Sequence, residues 1–139
     1  MIEIVALVLV GPLLGVELGV AAFTNPIVAR LPDNAFRQVR SGGSRLLGRI
    51  MPFWYIATLA ALIAAAVSAK SGLLIAAAAL MAAAVMLTVT TLVPINNRIA
   101  TWTTDADVSR ELANRWDRLH WIRVALLAVL WLLLAISAR

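Results

Sequence analysis

Four long apolar stretches account for most of this 139-residue chain and limit what it can fold into. They lie at about residues 2–29, 50–69, 72–95 and 119–138. Each reaches the length of about 20 residues that a helix needs to cross the hydrocarbon core of a bilayer. The chain is 63% hydrophobic, whereas soluble domains are about 45–50% apolar, so much of its surface must face lipid. We therefore predict an all-α protein, a four-transmembrane-helix bundle that forms a single membrane domain over residues 1–139.

The residue types that the chain lacks exclude several kinds of chemistry. The absence of cysteine excludes disulfides, thiol catalysis and cysteine-ligated metals. A single histidine and one deeply placed glutamate do not make a metal site, so we predict no metal and no cofactor. The sequence has no phosphate-binding loop and no internal repeat. The first apolar stretch is not a typical signal peptide, because it carries Glu3 in place of a basic segment and is too long.

The basic residues predict how the chain is inserted. Of the 12 lysine and arginine residues, all except Lys70 and Arg139 lie after the first span or around the start of the fourth. In a four-span protein these two regions are on the same side, and cytoplasmic loops are enriched in Lys and Arg. We predict a multi-pass protein of the inner (plasma) membrane with both termini outside the cytoplasm. The net charge of +5 then belongs to membrane topology, and we expect no nucleic-acid partner.

In the two basic regions the sequence predicts less helix than in the spans. The run Ser41-Gly42-Gly43-Ser44 interrupts the first region, where we expect only a short amphipathic piece at the lipid surface. In the second region, Asp105-Ala106-Asp107 suits the start of a helix, because negative charge is favoured at a helix N-terminus. A helix from about Asp107 is therefore expected to run into the fourth span.

Polar side chains in the spans and next to their ends fall in the half nearer to the basic loops. They include Asn25, Tyr55, Thr58, Thr88, Thr90, Thr91, Asn96, Asn97, Trp116, His120 and Arg123. Glu17 lies about 12 Å deeper than Asn25, at about 1.5 Å per residue. A charged group at that depth normally faces the bundle interior with a partner, and Arg123 is the best candidate. Two roles stay open for Glu17: a structural carboxyl that holds helices together, or a functional acid or base.

The start of the fourth span combines three kinds of functional side chain. Trp116, His120 and Arg123 follow the spacing i, i+4, i+7 and share one helix face. They supply an aromatic wall, a base and a cation, and Asp117, three residues before His120, is placed to orient the imidazole ring. Anchoring at the membrane surface is the alternative for such residues. At the end of the third span, one amide of Asn96-Asn97 suffices to finish the helix, which leaves the other for a ligand or a neighbouring helix.

Small residues in the first span suggest close packing. Gly11, Gly15 and Gly19 recur at intervals of four, a spacing that lets two helix backbones approach each other. Glu17 lies on a different face, so two faces of this span favour contact with protein. Either the span is central in the bundle, or its glycine face meets a second copy of the chain in a homo-oligomer.

Two motifs carry a family resemblance. The third span ends in PxNNR, followed by Trp102, and the fourth opens with RWDxLHxxR. These motifs resemble those of small four-helix membrane proteins related to fungal anthrone oxygenases, and the resemblance extends over nearly the whole chain. It implies a shared site formed by Asn96, Asn97, Arg98, Trp116, His120 and Arg123. The resemblance assigns no role to Glu17.

Our first functional hypothesis is a membrane oxygenase or oxidase that acts on a lipid-soluble aromatic substrate of the anthrone or phenol type. In it His120 removes an acidic proton from carbon, Arg123 and Asn97 stabilise the oxyanion, and Trp116 stacks on the ring. The predicted catalytic residues are His120, Glu17 and Arg123, and the predicted substrate-binding residues are Asn96, Asn97, Trp116, Tyr55 and Asn25. The alternative is a non-catalytic membrane subunit or small-molecule-binding protein that acts in an oligomer. A transporter is disfavoured, because four spans without an inverted repeat leave little to move.

Overall fold

The computed structural model describes all residues from 1 to 139 and consists of four helices without a strand. The helices are α1 (Ile2–Val28), α2 (Asp33–Ala69), α3 (Gly72–Ala100) and α4 (Arg110–Ser137). Each one contains a stretch that is long and apolar enough to span a membrane. The predicted all-α class and the four spans are confirmed.

The helices pack in a ring, so that each contacts two neighbours. Helix α1 packs against α2 and α4, and α3 likewise packs against both. The chain termini and the α2–α3 turn at Lys70 lie at one end, here called the terminal end. The α1–α2 and α3–α4 connections lie at the opposite, basic end. A solid apolar core fills the terminal half, formed by residues such as Ala6, Leu62, Met81 and Leu130.

Helix α2 is too long to lie wholly within a bilayer. Its 37 residues extend about 55 Å at 1.5 Å per residue, whereas the hydrocarbon core is about 30 Å thick. Its first turns therefore continue beyond the apolar layer, where a second apolar cluster forms around Phe36, Ile99, Trp102 and Ala113. The two apolar clusters close the two ends of the bundle and leave the space between them for the site described below.

The expectation of a break at Ser41–Ser44 was wrong. Helix α2 runs through these residues, and neither Gly42 nor Gly43 adopts a positive φ. Tertiary contacts override the weak helix propensity of the run, since Ser41 is buried and the carbonyl of Ser44 accepts a hydrogen bond from Asn96 Nδ2. The first basic region is therefore an extension of the second span.

The expected helix start at Asp107 was also wrong. Asp105–Asp107 form a single 3₁₀ turn, and α4 begins at Arg110, with the Ser109 hydroxyl accepting a hydrogen bond from the amide of Leu112. The Asp107 carboxylate turns back to the loop, where it accepts hydrogen bonds from the amides of Thr103 and Thr104. Those hydrogen bonds lower the pKa of Asp107 below its ordinary value.

Two helices contain a wide π-helical turn in the basic half. The turns are Val20–Thr24 in α1 and Thr88–Leu92 in α3, and each lies just before a proline, Pro26 or Pro94. Proline lacks an amide donor and clashes with the carbonyl four residues earlier, and a wider turn accommodates both effects. Helix α3 consequently continues past Pro94 to Ala100, so the asparagine pair does not finish the helix as expected. Turns of this kind occur frequently at functional sites.

The glycine face of α1 takes little part in packing within the chain. A Cβ atom built on Gly11 lies 3.7 Å from Trp131 Nε1, while nothing lies within 4 Å of one built on Gly15 or Gly19. Helix α1 instead packs through a different row of residues, which includes Val10 and Leu13. Contact of the glycine face with a second copy stays a prediction.

Candidate functional site

A cavity of about 270 Å³ lies between the four helices in the basic half of the bundle. All four helices contribute polar side chains to its lining. These polar residues are Glu17, Tyr55, Thr88, Asn96, Asn97, Trp116, His120 and Arg123. The rest of the wall is mainly apolar, with residues such as Met51, Val85 and Leu92. The structure thus brings together every predicted catalytic and substrate-binding residue except Asn25, whereas Arg98, which the resemblance also assigned to the site, does not line the cavity.

Glu17 is held by donors from two other helices. Its side chain is buried, with Oε1 accepting a hydrogen bond of 2.9 Å from the Tyr55 hydroxyl and Oε2 accepting one of 2.7 Å from Arg123 Nη2. The expected partnership with Arg123 is therefore present in the structure. Each charge compensates the other, which matters because an isolated charge in a low-dielectric interior is costly.

The guanidinium group of Arg123 is fixed from three sides. Besides the carboxylate of Glu17, Nη2 contacts His120 Nδ1 at 3.0 Å, and Nη1 donates to Thr88 Oγ1 at 3.2 Å. Thr88 can accept because its own hydroxyl proton is donated to the carbonyl of Ala84. The remaining nitrogen, Nε, is buried and has no hydrogen-bond partner in the protein. Thr88 is not among the predicted site residues, and only its polar character within an apolar span marks it in the sequence.

Both ring nitrogens of His120 have partners in the protein. Nε2 lies 2.9 Å from the backbone oxygen of Glu17, which can only accept, so the proton is on Nε2. Nδ1 lies between Arg123 Nη2 at 3.0 Å and Glu17 Oε2 at 3.2 Å, so it is in direct contact with both partners of the buried ion pair. The carbonyl of Glu17 that His120 contacts lies three residues before the start of the π turn at Val20. His120 therefore links the backbone of α1 to the guanidinium group of α4.

Asp117 does not orient the imidazole ring as the sequence spacing suggested. It lies on another face of α4, where its Oδ1 accepts hydrogen bonds from Arg40 Nη1 at 2.8 Å and from Asn25 Nδ2 at 3.1 Å. The ring of His120 is instead stacked on Trp116, with 4.7 Å between the ring centroids and an interplanar angle of 17°. One face of the Trp116 indole is thus covered by protein. Its Nε1 is buried without a hydrogen-bond partner in the protein.

Comparison with known proteins adds a family to this geometry. The sequence profile of the anthrone oxygenase family matches residues 36–133, which is most of the chain. The protein belongs to the anthrone oxygenase family. No curated protein and no solved structure matches the chain.

The matched region of this anthrone oxygenase family member contains most of the cavity. Tyr55 on α2, the asparagine pair on α3 and the Trp116, His120 and Arg123 row on α4 all lie within it. Glu17 and Asn25 lie outside it, because the match begins in α2. The role of Glu17 therefore depends on its contacts in the structure.

The two asparagines occupy different places at the cavity. Asn96 Nδ2 donates a hydrogen bond of 3.0 Å to the carbonyl of Ser44, so this amide joins α3 to α2. Its approach is close, since a Cβ atom built on Gly48 lies 3.2 Å from Asn96 Nδ2. Asn97 lines the same cavity and is exposed, and no hydrogen bond of its side chain is seen within the protein. Asn97 is thus the more available amide of the two.

Asn25 lies next to the cavity, in a separate polar cluster. Its Oδ1 accepts a hydrogen bond of 3.1 Å from Arg40 Nη1, and the cluster borders a smaller cavity of about 100 Å³. Arg40 is buried and connects α1, α2 and α4, a role that its place among the loop charges concealed. The available signal was its spacing of four from Phe36, which puts both residues on one face of the helix. Trp116 and Asn96 line both cavities and form part of the wall between them.

The ionisable side chains of this anthrone oxygenase family member do not gather into a metal-binding set. Glu17 and His120 are neighbours, with 3.2 Å between Oε2 and Nδ1, but no third His, Cys, Asp or Glu joins them. Two of the donors that line the cavity, at Arg123 and Trp116, remain without a partner in the protein. The site therefore offers a buried carboxylate and unsatisfied hydrogen-bond donors beside an apolar wall.

Proposed function

We propose that the protein is a membrane oxygenase or oxidase that acts on a lipid-soluble aromatic substrate of the anthrone or phenol type. The observation that carries the proposal is the position of Glu17, the only acidic residue that lines an otherwise largely apolar cavity. Membership of the anthrone oxygenase family supports the reaction class. The cavity volume of about 270 Å³ is near the lower end of small-molecule sites, which begin at about 300 Å³.

The proposed reaction needs a base and an environment that stabilises an anion. Loss of a proton from the methylene carbon of an anthrone gives a carbanion whose charge is delocalised onto the carbonyl oxygen. Addition of dioxygen to that carbon and return of the proton give a hydroperoxide. Loss of water from the hydroperoxide leaves a ketone, so that one CH₂ group and one O₂ become one C=O group and one H₂O. The scheme balances without another oxidant.

Glu17 is the proposed base in this scheme. A carboxylate has about four lone-pair positions, and the hydrogen bonds from Tyr55 and Arg123 use two of them. His120 Nδ1 is in contact with Arg123 Nη2 at 3.0 Å, so the base role first predicted for His120 requires the guanidinium group to move. We assign His120 as a positioning residue that holds Arg123 and the backbone of Glu17. Arg123, with Asn97, stabilises the oxyanion, a contribution often worth about 3 kcal/mol per donor.

The test is turnover by the purified protein in lipid nanodiscs. Oxygen consumption and anthraquinone absorbance are measured with an anthrone, and the rate of uncatalysed air oxidation is subtracted. We expect Glu17→Gln to lower kcat at least about 100-fold, the usual contribution of a general base. The matched control is Glu3→Gln, which changes the other glutamate of α1 outside the cavity. Wild-type protein that oxidises neither anthrones nor quinols contradicts the proposal.

A second candidate function is a non-catalytic membrane subunit or ligand-binding protein that acts in an oligomer. It is favoured by the glycine face of α1, where Gly15 and Gly19 have open space beside them. Small residues at this spacing are typical of helix–helix contacts in membranes. Native mass measurement in detergent distinguishes the cases: Gly15→Leu is expected to dissociate an oligomer that uses this face. A wild-type protein that is entirely monomeric removes this candidate.

We also propose the orientation that the basic residues predict. The protein lies in the plasma membrane, with its basic end on the cytoplasmic side and both termini outside the cytoplasm. The chain has no cysteine, so single-cysteine variants report cleanly. Arg139→Cys is expected to react with an impermeant thiol reagent on intact cells, and Arg30→Cys only after lysis. The reverse pattern of labelling contradicts the orientation.

A further inference from the structure

Two buried donors in the structure have no hydrogen-bond partner in the protein, Trp116 Nε1 and Arg123 Nε. They are the only buried side-chain nitrogen or oxygen atoms of which this is true, and both residues line the same cavity. Leaving a donor buried and unpaired costs free energy, so native proteins do so rarely. Two such donors at one cavity indicate an acceptor that comes from outside the chain.

The side chains that carry the two donors are neighbours in the cavity wall. The guanidinium carbon of Arg123 lies 6.0 Å from the centroid of the Trp116 ring. One oxygen at about 2.9 Å from each nitrogen can accept from both when the nitrogens are within about 6 Å of each other, which is the geometry that the inference below requires. Indole and guanidinium groups donate and do not accept, so the bound atom must be an acceptor.

Both donors are also fixed in direction before any ligand binds. The Trp116 ring is stacked on His120, and the guanidinium group of Arg123 is held by Glu17, His120 and Thr88. The unused Arg123 Nε therefore cannot turn to another partner without breaking these contacts. Donors that are positioned in advance bind an acceptor without the cost of ordering it.

We propose that Trp116 Nε1 and Arg123 Nε together bind a single carbonyl or phenolate oxygen of an aromatic ligand. The two residues then determine specificity, because they favour an oxygenated ring over a hydrocarbon of the same shape. This inference rests on the proposed function for the class of ligand. It also changes the role of Trp116, which acts through its N–H group, since one face of its ring is already covered by His120.

A site with this construction discriminates strongly. A hydrocarbon analogue leaves both donors unpaired in the cavity, and sites built to hydrogen-bond an oxygen reject analogues that lack it. The apolar wall, which includes Val85, Val89 and Leu92, contacts the ring skeleton of either ligand in the same way. The difference in affinity between the two ligands therefore isolates the contribution of the oxygen.

The experiment measures equilibrium binding in nanodiscs of anthraquinone and of anthracene, which has the same three-ring skeleton without oxygen. Partition into empty nanodiscs is subtracted for each probe. We expect wild-type protein to bind anthraquinone at least about tenfold more tightly than anthracene. Trp116→Phe keeps the aromatic ring and removes the N–H group, so it is expected to weaken anthraquinone binding about tenfold and to leave anthracene binding unchanged. Trp121→Phe, on an exposed tryptophan of the same helix, is the matched control and should change neither.

A second variant tests whether the two donors share one oxygen. Arg123→Lys keeps the positive charge beside Glu17 but lacks the Nε–H group. If both donors bind the same atom, the effects of Trp116→Phe and Arg123→Lys on anthraquinone affinity are non-additive. Arg118→Lys, on an exposed arginine of α4, is the control. Strictly additive effects overturn the shared oxygen.

The outcomes separate this inference from the proposed function. Equal affinity of wild-type protein for the two probes, or equal weakening of both by Trp116→Phe, overturns the inference even if anthrones are turned over. A preference for anthraquinone that depends on Trp116, in a protein without turnover, supports the inference and contradicts the oxygenase proposal.

Discussion

Arg123 Nη2 and Glu17 Oε2 lie 2.7 Å apart although the two residues are separated by 106 positions in the sequence. The pair joins the first and last helices, and the Tyr55 hydroxyl brings α2 to the same carboxylate. Three helices thus converge on one buried charge. The consequence is that stability and chemistry depend on the same side chains.

Removal of one partner of this ion pair is expected to destabilise the fold. Arg123→Gln leaves the Glu17 carboxylate buried without its cation, and such changes typically cost about 3–5 kcal/mol. The free energy of unfolding, measured by denaturant titration in bicelles, should therefore fall by about this amount. The double variant Glu17→Gln/Arg123→Gln removes both charges and is expected to recover part of the loss. A stability loss no larger than that of Arg118→Gln contradicts the prediction.

The positioning role of His120 leads to a distinct kinetic prediction. His120→Asn removes the contact to Arg123 and misplaces the catalytic groups, which is expected to lower kcat by up to about 100-fold. The shape of the pH–rate profile should be preserved, because His120 does not exchange the substrate proton in the proposed scheme. The profile is recorded for wild type and variant with an anthrone. Disappearance of one limb of the profile in the variant would return the base role to His120.

The cluster of Arg40, Asp117 and Asn25 is expected to be a major support of the basic end. Arg40→Ala leaves a half-buried carboxylate without its cation and removes a contact to the carbonyl of Ala113, so we expect a loss of about 3 kcal/mol. The control is Arg37→Ala, which breaks the ion pair to the exposed Asp105. Exposed pairs contribute about 0–1 kcal/mol. Equal effects of the two variants in a denaturant titration contradict the assigned difference.

The loop before α4 is expected to loosen in acid. Hydrogen bonds from the amides of Thr103 and Thr104 lower the pKa of Asp107 below its ordinary value of 3.8. Because the folded-state pKa is the lower one, the ionised carboxylate stabilises the loop above pH 3.8, and this contribution is lost as the pH falls through the folded-state pKa. Amide exchange at Thr103 and Thr104 should therefore become faster as the pH falls below 3.8, after correction for the intrinsic exchange rate. In Asp107→Asn the exchange should be fast throughout, without this pH dependence.

Gly48 is expected to set the width of the cavity next to Asn96. A Cβ atom at this position lies 3.2 Å from Asn96 Nδ2, which must then move away from the carbonyl of Ser44. We expect Gly48→Ala to weaken ligand binding several-fold. This corresponds to about 1 kcal/mol, the net contribution of one hydrogen bond. Gly43→Ala meets no atom within 4 Å and is the control, with an expected stabilisation of about 0.5–1 kcal/mol from helix propensity. Unchanged ligand affinity in Gly48→Ala contradicts the assignment.

The features that could be predicted from the sequence are those for which the lipid environment restricts the residue types that a segment can contain. Long apolar stretches predicted the four spans because a helix in a bilayer has no other way to satisfy its backbone. A carboxylate at the depth of Glu17 required a cation, and few basic residues lie within reach of the bundle interior. The partnership with Arg123 followed from these two constraints alone.

The features that sequence analysis missed depend on how helices are rotated and where they continue. Asp117 was paired with His120 because they are three residues apart, but the rotation of α4 directs Asp117 to Arg40 of α2. Helix α2 continues through Gly42 and Gly43 because its neighbours pack against it, which local propensity does not record. Pro26 and Pro94 are visible in the sequence, yet the wide turns before them alter which side chains face the cavity.

Several residues that line the cavity, among them Val16, Ile56 and Val89, are also exposed on the outer surface of the bundle. A ligand that enters past these apolar side chains comes from the acyl chains of the bilayer, where its concentration is set by its partition coefficient. Apparent KM values in bulk units should consequently rise in proportion to the amount of lipid in the assay. Expressed as mole fraction in the membrane, the same values should be constant.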